Sequence, residues 1–221
     1  MNYGQVKNKV LMLLNQYSVA GKLVASSYNN QQDYLNRIPM LVNDAMEEIA
    51  TTYRKIPAVM DLTVLERESL GNLTRFALPD DFFQFKTGDT MVVTNDGRML
   101  HTNKYSLQGK SYLLVPTEEL EQDAHYFITY YRHPVRLGDK PADTDELDNE
   151  PETHEALAFY AAAFLVIHDD NFVFASLYNK YDDKVTKLGA GISVEMQPMG
   201  GDGMSFDGHG IGGLYDGIYD V

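Results

Sequence analysis

The 221-residue chain contains no cysteine and no tryptophan. Without cysteine there are no disulfides, no thiolate metal sites, no redox dithiol and no cysteine nucleophile, which excludes the framework usual in small secreted scaffolds. Basic residues are scarce as well: eighteen Lys and Arg face thirty-two Asp and Glu, for a formal net charge of −14. A surface of that sign repels phosphate and argues against a protein that grips nucleic acid or an anionic membrane. Long apolar runs are missing too. The stretch MNYGQVKNKVLMLLNQYSV holds only the short run Val10 to Leu14, and nowhere do about eighteen apolar residues follow one another, so neither a secretory signal nor a spanning helix is expected. The expectation is a soluble chain in an intracellular or assembled setting. What is present, 44% hydrophobic and 23% charged residues, suffices for a globular unit with a buried core.

The charge is unevenly spread. Residues 1–60 carry six basic and four acidic side chains, whereas 141–170 carry nine acidic and none basic, and 189–221 five acidic and none basic. The first acidic concentration is Asp143-Thr144-Asp145-Glu146-Leu147-Asp148-Asn149-Glu150. It lacks the Gly and closing Glu of a calcium loop, so it reads as a solvated loop whose carboxylates favour the start of the next helix.

Val6, Val10, Leu13, Leu14 and Tyr17 recur at helical spacing and predict an amphipathic helix over about 4–17, stopped near Gly21. Ile38, Leu41, Val42, Ala45, Ile49 and Tyr53 predict a longer one over about 33–55, capped by Asp33, with Pro39 in its first turn or at a kink and Pro57 closing it. Between about 73 and 132 the pattern changes to short β-type stretches such as Met91-Val92-Val93-Thr94, Tyr112-Leu113-Leu114-Val115 and Tyr126 to Tyr131. Asn95-Asp96-Gly97-Arg98 and Gln108-Gly109-Lys110 supply hairpin turns. After the acidic loop, Asn149 and Glu152 stand at capping-box spacing before a helix over about 150–169, with His154 in its exposed first turn. Phe174, Leu177, Tyr178, Tyr181, Val185 and Leu188 mark a partner helix over about 172–188, ended by Gly189 and packed in an antiparallel hairpin with an aromatic seam.

Residues 189–221 hold ten of the seventeen glycines and no periodicity, too much backbone entropy to fold alone. The expected fold is therefore α+β, mainly α: one domain over 1–188, a helical bundle with an inserted small antiparallel β-sheet, followed by a glycine-rich extended C-terminal arm.

Candidate chemistry is sparse. Gly208, Gly210 and Gly213 fit G-x-G-x-x-G but follow no strand and open no helix, which the dinucleotide fingerprint requires. Gly200-Gly201-Asp202-Gly203-Met204-Ser205 is one imperfect calcium nonapeptide and cannot build a stacked site alone. No two of the six histidines stand at i, i+4 on an expected helix. His168-Asp169-Asp170 has the look of a metal-dependent hydrolase cluster, yet it falls in a helix-hairpin turn, where Asp and Asn act as local caps. No nucleophile elbow or phosphate loop is present, so no catalytic residue, cofactor or metal ligand is assigned. Fifteen Tyr and ten Phe fall largely on helix seams and the sheet rather than between Lys and Arg, which is a pattern of core and interface, not of base stacking.

Four stretches in order carry a family likeness: Tyr34-Leu35-Asn36-Arg37-Ile38-Pro39-Met40-Leu41-Val42-Asn43-Asp44-Ala45, Leu78-Pro79-Asp80-Asp81-Phe82-Phe83, Tyr130-Tyr131-Arg132-His133-Pro134, and Pro151 to Ala163 with a partner helix ending near Tyr181. Over about 28–188 the chain resembles the head-tail adaptor (connector) proteins of tailed bacteriophages. The resemblance implies a helical bundle with a β insertion, a homo-oligomeric ring of about twelve copies, binding to the portal above and a neck or tail protein below, a virion location after assembly in the host cytoplasm, and no catalysis. DNA would pass through without specific binding; about twelve copies at −14 carry about −168, which repels the phosphate backbone. The acidic loop residues Asp143, Asp145, Glu146, Asp148 and Glu150 then become candidates for a channel or surface lining. Phe206, Ile211, Leu214, Tyr215, Ile218 and Tyr219 become candidate anchors of an arm that orders on docking to the portal or a neighbouring subunit. The alternatives are a stopper or tail-tube component and, from another class, a metal-dependent hydrolase using His168, Asp169 and Asp170.

Overall fold

A computed structural model describes residues 1–14, 28–85, 91–93, 99–101, 105–120 and 125–195. Helix α1 (Tyr3–Leu13) begins where Asn2, in extended backbone, accepts the Gln5 N–H while the Gln5 side chain accepts the Asn2 N–H. This reciprocal cap satisfies two donors that a first turn leaves orphaned. Its buried side is Tyr3, Val6, Val10 and Leu11; the expected positions Tyr17 and Gly21 lie outside the described residues.

Helix α2 (Tyr28–Glu48) runs on into a π-turn, Ile49–Tyr53. It starts five residues before the expected cap, so Asp33 is helical and pairs with Arg37 at 3.5 Å. Pro39 sits in the helix interior rather than the first turn. Pro57 does not merely close the helix; it is the second residue of a strand.

One small sheet over 73–132 is replaced by two sheets that begin at Ile56. The strands are β1 (Ile56–Asp61), β2 (Arg67–Leu70), β3 (Leu73–Ala77), β4 (Phe82–Phe85), β5 (Met91–Val93), β6 (Met99–His101), β7 (Ser106–Gln108), β8 (Tyr112–Pro116) and β9 (Phe127–Arg132). Central β9 pairs along its length with β1, Ile56 opposite Arg132 and Asp61 opposite Phe127, and on its other side with β4 and β5, the latter pairing β6. The second sheet has the order β2-β3-β8-β7. Strand β1 escaped the sequence reading because it contains proline, which a strand accepts only at an edge, and β1 is an edge. Gly109 (φ 66°) makes the expected β7–β8 turn and Gly71 (φ 70°) the unexpected β2–β3 turn. The turn residues Asn95–Arg98 lie outside the described residues, although β5 and β6 on either side pair with Met91 opposite His101.

Alternation then sorts the strand side chains. Thr74, Phe76, Leu113 and Val115 point inward, and the apolar members join Met60, Leu62, Phe82, Tyr126, Ile128 and Tyr130 in one core. A separate core belongs to the helices: α1, α2, α3 (His154–Val166) and α4 (Asn171–Glu195). Helix α3 is buried nearly all round through Ala156, Leu157, Ala158, Ala161, Ala162, Ala163 and Leu165. Five small alanines let its neighbours approach closely. The α3–α4 hairpin carries the expected aromatic seam: Tyr160 lies 4.5 Å from Phe164 and 5.1 Å from Tyr181, and Phe164 5.8 Å from Phe174, centre to centre.

Three boundaries differ. Helix α3 is shorter than 150–169 because Pro151–Thr153 forms a 3₁₀ turn. No capping box forms there: the Asn149 amide donates instead to Met46 O at 3.3 Å. Helix α4 continues through Gly189 to Glu195, since an interior glycine costs only about 1 kcal/mol against alanine and does not terminate a helix. The first part of the expected arm is thus helical, and residues 196–221 lie outside the described residues.

Candidate functional surfaces

The two cores meet across a polar junction built by the segment that follows β9. The Arg132 guanidinium grips both Asp148 oxygens at 2.5 and 2.7 Å, and Asp148 also accepts the Val135 N–H at 2.7 Å. That bidentate hydrogen bond from Arg132, aided by the backbone donor, holds the Asp148 carboxyl below its usual range. Alongside it, His133 Nδ1 is 2.6 Å from Glu47, Arg54 Nε 2.5 Å from Glu150 and Arg136 3.3 Å from Asp44. The Asn43 amide takes both backbone groups of Leu137, at 2.8 and 3.0 Å. Tyr130 donates to Asp81 at 3.0 Å, and burial together with that carboxylate pushes its hydroxyl up to about 12. His133, Arg136 and Leu137 tie the connection after β9 to α2, Glu150 ties it to Arg54 just beyond the π-turn, Tyr130 ties β9 to the entrance of β4, and Arg132 ties the end of β9 to Asp148 within the connection.

The five acidic-loop candidates therefore separate. Asp148 and Glu150 are half-buried and bound to arginines. Asp143, Asp145 and Glu146 are exposed, but their backbone receives α1: Tyr3 N–H donates to Asp145 O and Gly4 N–H to Asp143 O, both at 2.9 Å, while Asn2 and Glu146 form an antiparallel bridge. Lys7 pairs with the Asp143 carboxylate. A Cβ on Gly4 would stand 2.7 Å from Asp143, so only glycine permits this approach. His154, expected in an exposed turn, is 4% exposed and donates its Nε2–H to Asn149 O at 2.9 Å. Burial holds its pKa below the usual imidazole value.

At the other end of the bundle, Asp170 Oδ1 accepts the N–H groups of Phe172 (2.9 Å) and Val173 (3.0 Å), the cap-forming role expected of this turn. Asp169 accepts from Tyr34 at 3.2 Å. Among the described residues no group of three or more His, Asp and Glu could hold a metal ion, and none of their helices is long and apolar enough to cross a membrane. A cleft of about 450 Å³ between α2 and residues 136–139, lined by Asn36, Met40, Asn43, Arg136 and Asp139 among others, brings no acid and base to one reacting point. The arm candidates Phe206, Ile211, Leu214, Tyr215, Ile218 and Tyr219 fall outside the described residues.

Residues 1–199 match the family of SU10 adaptor proteins. The chain belongs to that family. Its members are head-tail adaptors of tailed bacteriophages, so the role is structural and not enzymatic. No curated protein matches the sequence.

One feature of the adaptor was missed in the sequence because it assembles from three helices. Lys9 of α1 and Lys184 of α4 hold the two oxygens of Glu155 at 2.6 and 2.7 Å. Hydrogen bonds from Lys184 and Lys9 bring that carboxyl down to about 2. The ammonium groups of Lys9, Lys180 and Lys184 stand 5.7, 5.9 and 5.4 Å from the centre of the Phe159 ring. Three lysines from two other helices thus meet over the single ring of Phe159.

Proposed function

We propose that the adaptor forms a homo-oligomeric ring that docks on the portal, meets the neck or tail protein below, and continues the DNA channel in the assembled virion. The family match over residues 1–199 carries this reading. The physical features agree with it. A conduit must not hold what slides through it, and copies at −14 each repel the duplex. The exposed carboxylates of Asp145 and Glu146 are the part of the acidic loop left to line such a path, since Asp143, Asp148 and Glu150 are taken up by Lys7, Arg132 and Arg54. The polar clamp between the cores fixes the angle between helical and β parts, as a ring subunit loaded from both sides requires. The arm beyond Glu195, with Phe206, Ile211, Leu214, Tyr215, Ile218 and Tyr219, supplies apolar anchors for docking. Electron microscopy of the chain mixed with its portal protein tests the reading. A ring with an open central channel seated on the portal is expected; a monomer that ignores portal overturns it.

A further inference from the structure

We infer that the lysine cluster over Phe159 is the contact by which one copy receives the acidic, tyrosine-bearing segment 206–221 of a neighbouring copy. The inference rests on the ring reading and deepens it. Glu155 and Phe159 lie one turn apart on α3, and lysines from both flanking helices, α1 and α4, close over them. Two of the three ammonium groups are bound to the Glu155 carboxylate there, and Lys180, exposed, makes no ion pair among the described residues. Exposed Met12 lies on α1 one turn beyond Lys9. In a chain of net charge −14 this is a local excess of positive charge on a partly apolar floor, Phe159 itself being 8% exposed.

The matching chemistry stands elsewhere in the same chain. Residues 196–221 contain four Asp and no Lys or Arg, and carry two copies of an apolar-Tyr-Asp unit, Leu214-Tyr215-Asp216 and Ile218-Tyr219-Asp220. An Asp pairs with an ammonium group, a Tyr ring lies along lysine stems and accepts their charge on its face, and the Leu or Ile covers what apolar floor remains. A neighbouring copy is the better donor than the same chain. Helix α4 carries Lys180 and Lys184 and runs on to Glu195, so its end stands about 16 Å beyond Lys184, pointing away from the lysines, before residues 196–205 lead to the segment. Its own lysines would be reached only by doubling back. A head-to-tail neighbour meets that direction, and head-to-tail contacts are the kind that close into rings. The contact also gives copies that repel one another a specific attraction.

The test uses the full-length chain in three forms: Lys180→Glu with Lys184→Glu, Asp216→Lys with Asp220→Lys, and all four substitutions together. Each pair is expected to weaken self-association by about tenfold or more in sedimentation, and the fourfold variant to regain it. Circular dichroism confirms that each variant is folded. In an equal mixture of heavy-isotope and ordinary chains, carbodiimide should join Lys180 or Lys184 of one chain to Asp216 or Asp220 of another. Undiminished association, failure of the charge swap to restore it, or links confined to single chains would overturn the inference, as would a DNA duplex that occupies the same lysines. Portal binding is measured on the same samples: a wild-type chain that binds no portal defeats the ring reading, while the charge swap still decides the lysine contact.

Discussion

Arg132 ties the end of β9 to the connection that leads into α3. Its pair with Asp148 is bidentate and only partly open to water, the side chains being 19% and 27% exposed. Arg132→Ala leaves the Asp148 charge half-buried with only the Val135 N–H, and should cost about 2–3 kcal/mol, read as a lower urea midpoint with unchanged slope. Asp148→Asn keeps an acceptor for Val135 and should cost less. Gly4 offers a second, steric test: Gly4→Ala drives a methyl to 2.7 Å from Asp143 and should destabilise by about 1–3 kcal/mol. Gly138→Ala, with nothing within 4 Å, should stay within about 0.5 kcal/mol. His154 gives the pH signature. Its folded pKa lies below the unfolded value because burial disfavours the imidazolium, so the unfolded chain binds more protons and stability rises with pH through the window below about 6.5. The urea midpoint should therefore drop between pH 7.5 and 5.5, and that drop should shrink in His154→Gln. Asp148 and Glu155, whose pKa values are lowered, withdraw their stabilisation only at more acid pH.

At the scale of elements, two hydroxyls tie the α3–α4 hairpin to α2: Tyr34 donates to Asp169 at 3.2 Å, and Tyr181, 1% exposed, donates to Glu48 at 2.9 Å. Tyr181→Phe keeps the ring in its aromatic seam and removes only that bond, so about 1–2 kcal/mol of stability should be lost with the near-ultraviolet signature of the other rings retained. The hairpin, its seam and its Asp170 cap were legible in the sequence because each is local, set by spacing within one helix or by a turn residue. What failed were features settled by distant partners. Asn149 and Glu152 had capping-box spacing, but Met46 on another helix claimed the Asn149 amide. His154 looked exposed until the loop carrying Asn149 folded over it. Strand β1 is recognisable only from β9, seventy or so residues later, and the second sheet only from the pairing of β3 with β8. The lysines over Phe159 were invisible for the same reason, coming from α1 and α4 around a residue of α3.

For the whole molecule, charge and architecture separate folding from assembly. Among the described residues the two cores are built from side chains between Tyr3 and Leu188, and the helix that leads out of the bundle continues to Glu195. A chain shortened after Glu195 keeps every one of these core side chains and should therefore melt within about 2 °C of the full chain. The same shortened chain lacks the segment inferred to join neighbouring copies, so it should lose ring assembly and with it most of its binding to portal in co-sedimentation, while neither form retains duplex DNA at physiological salt. Cutting after Leu188 would be a poorer experiment, since it removes two turns of α4 and mixes a folding defect with a docking defect. An unchanged melting temperature with full portal binding would show that the folded body alone makes the joint. An unchanged melting temperature with binding lost would place the energy of attachment in a segment with no basic residue and six apolar anchors, leaving the acidic body free to face DNA without holding it.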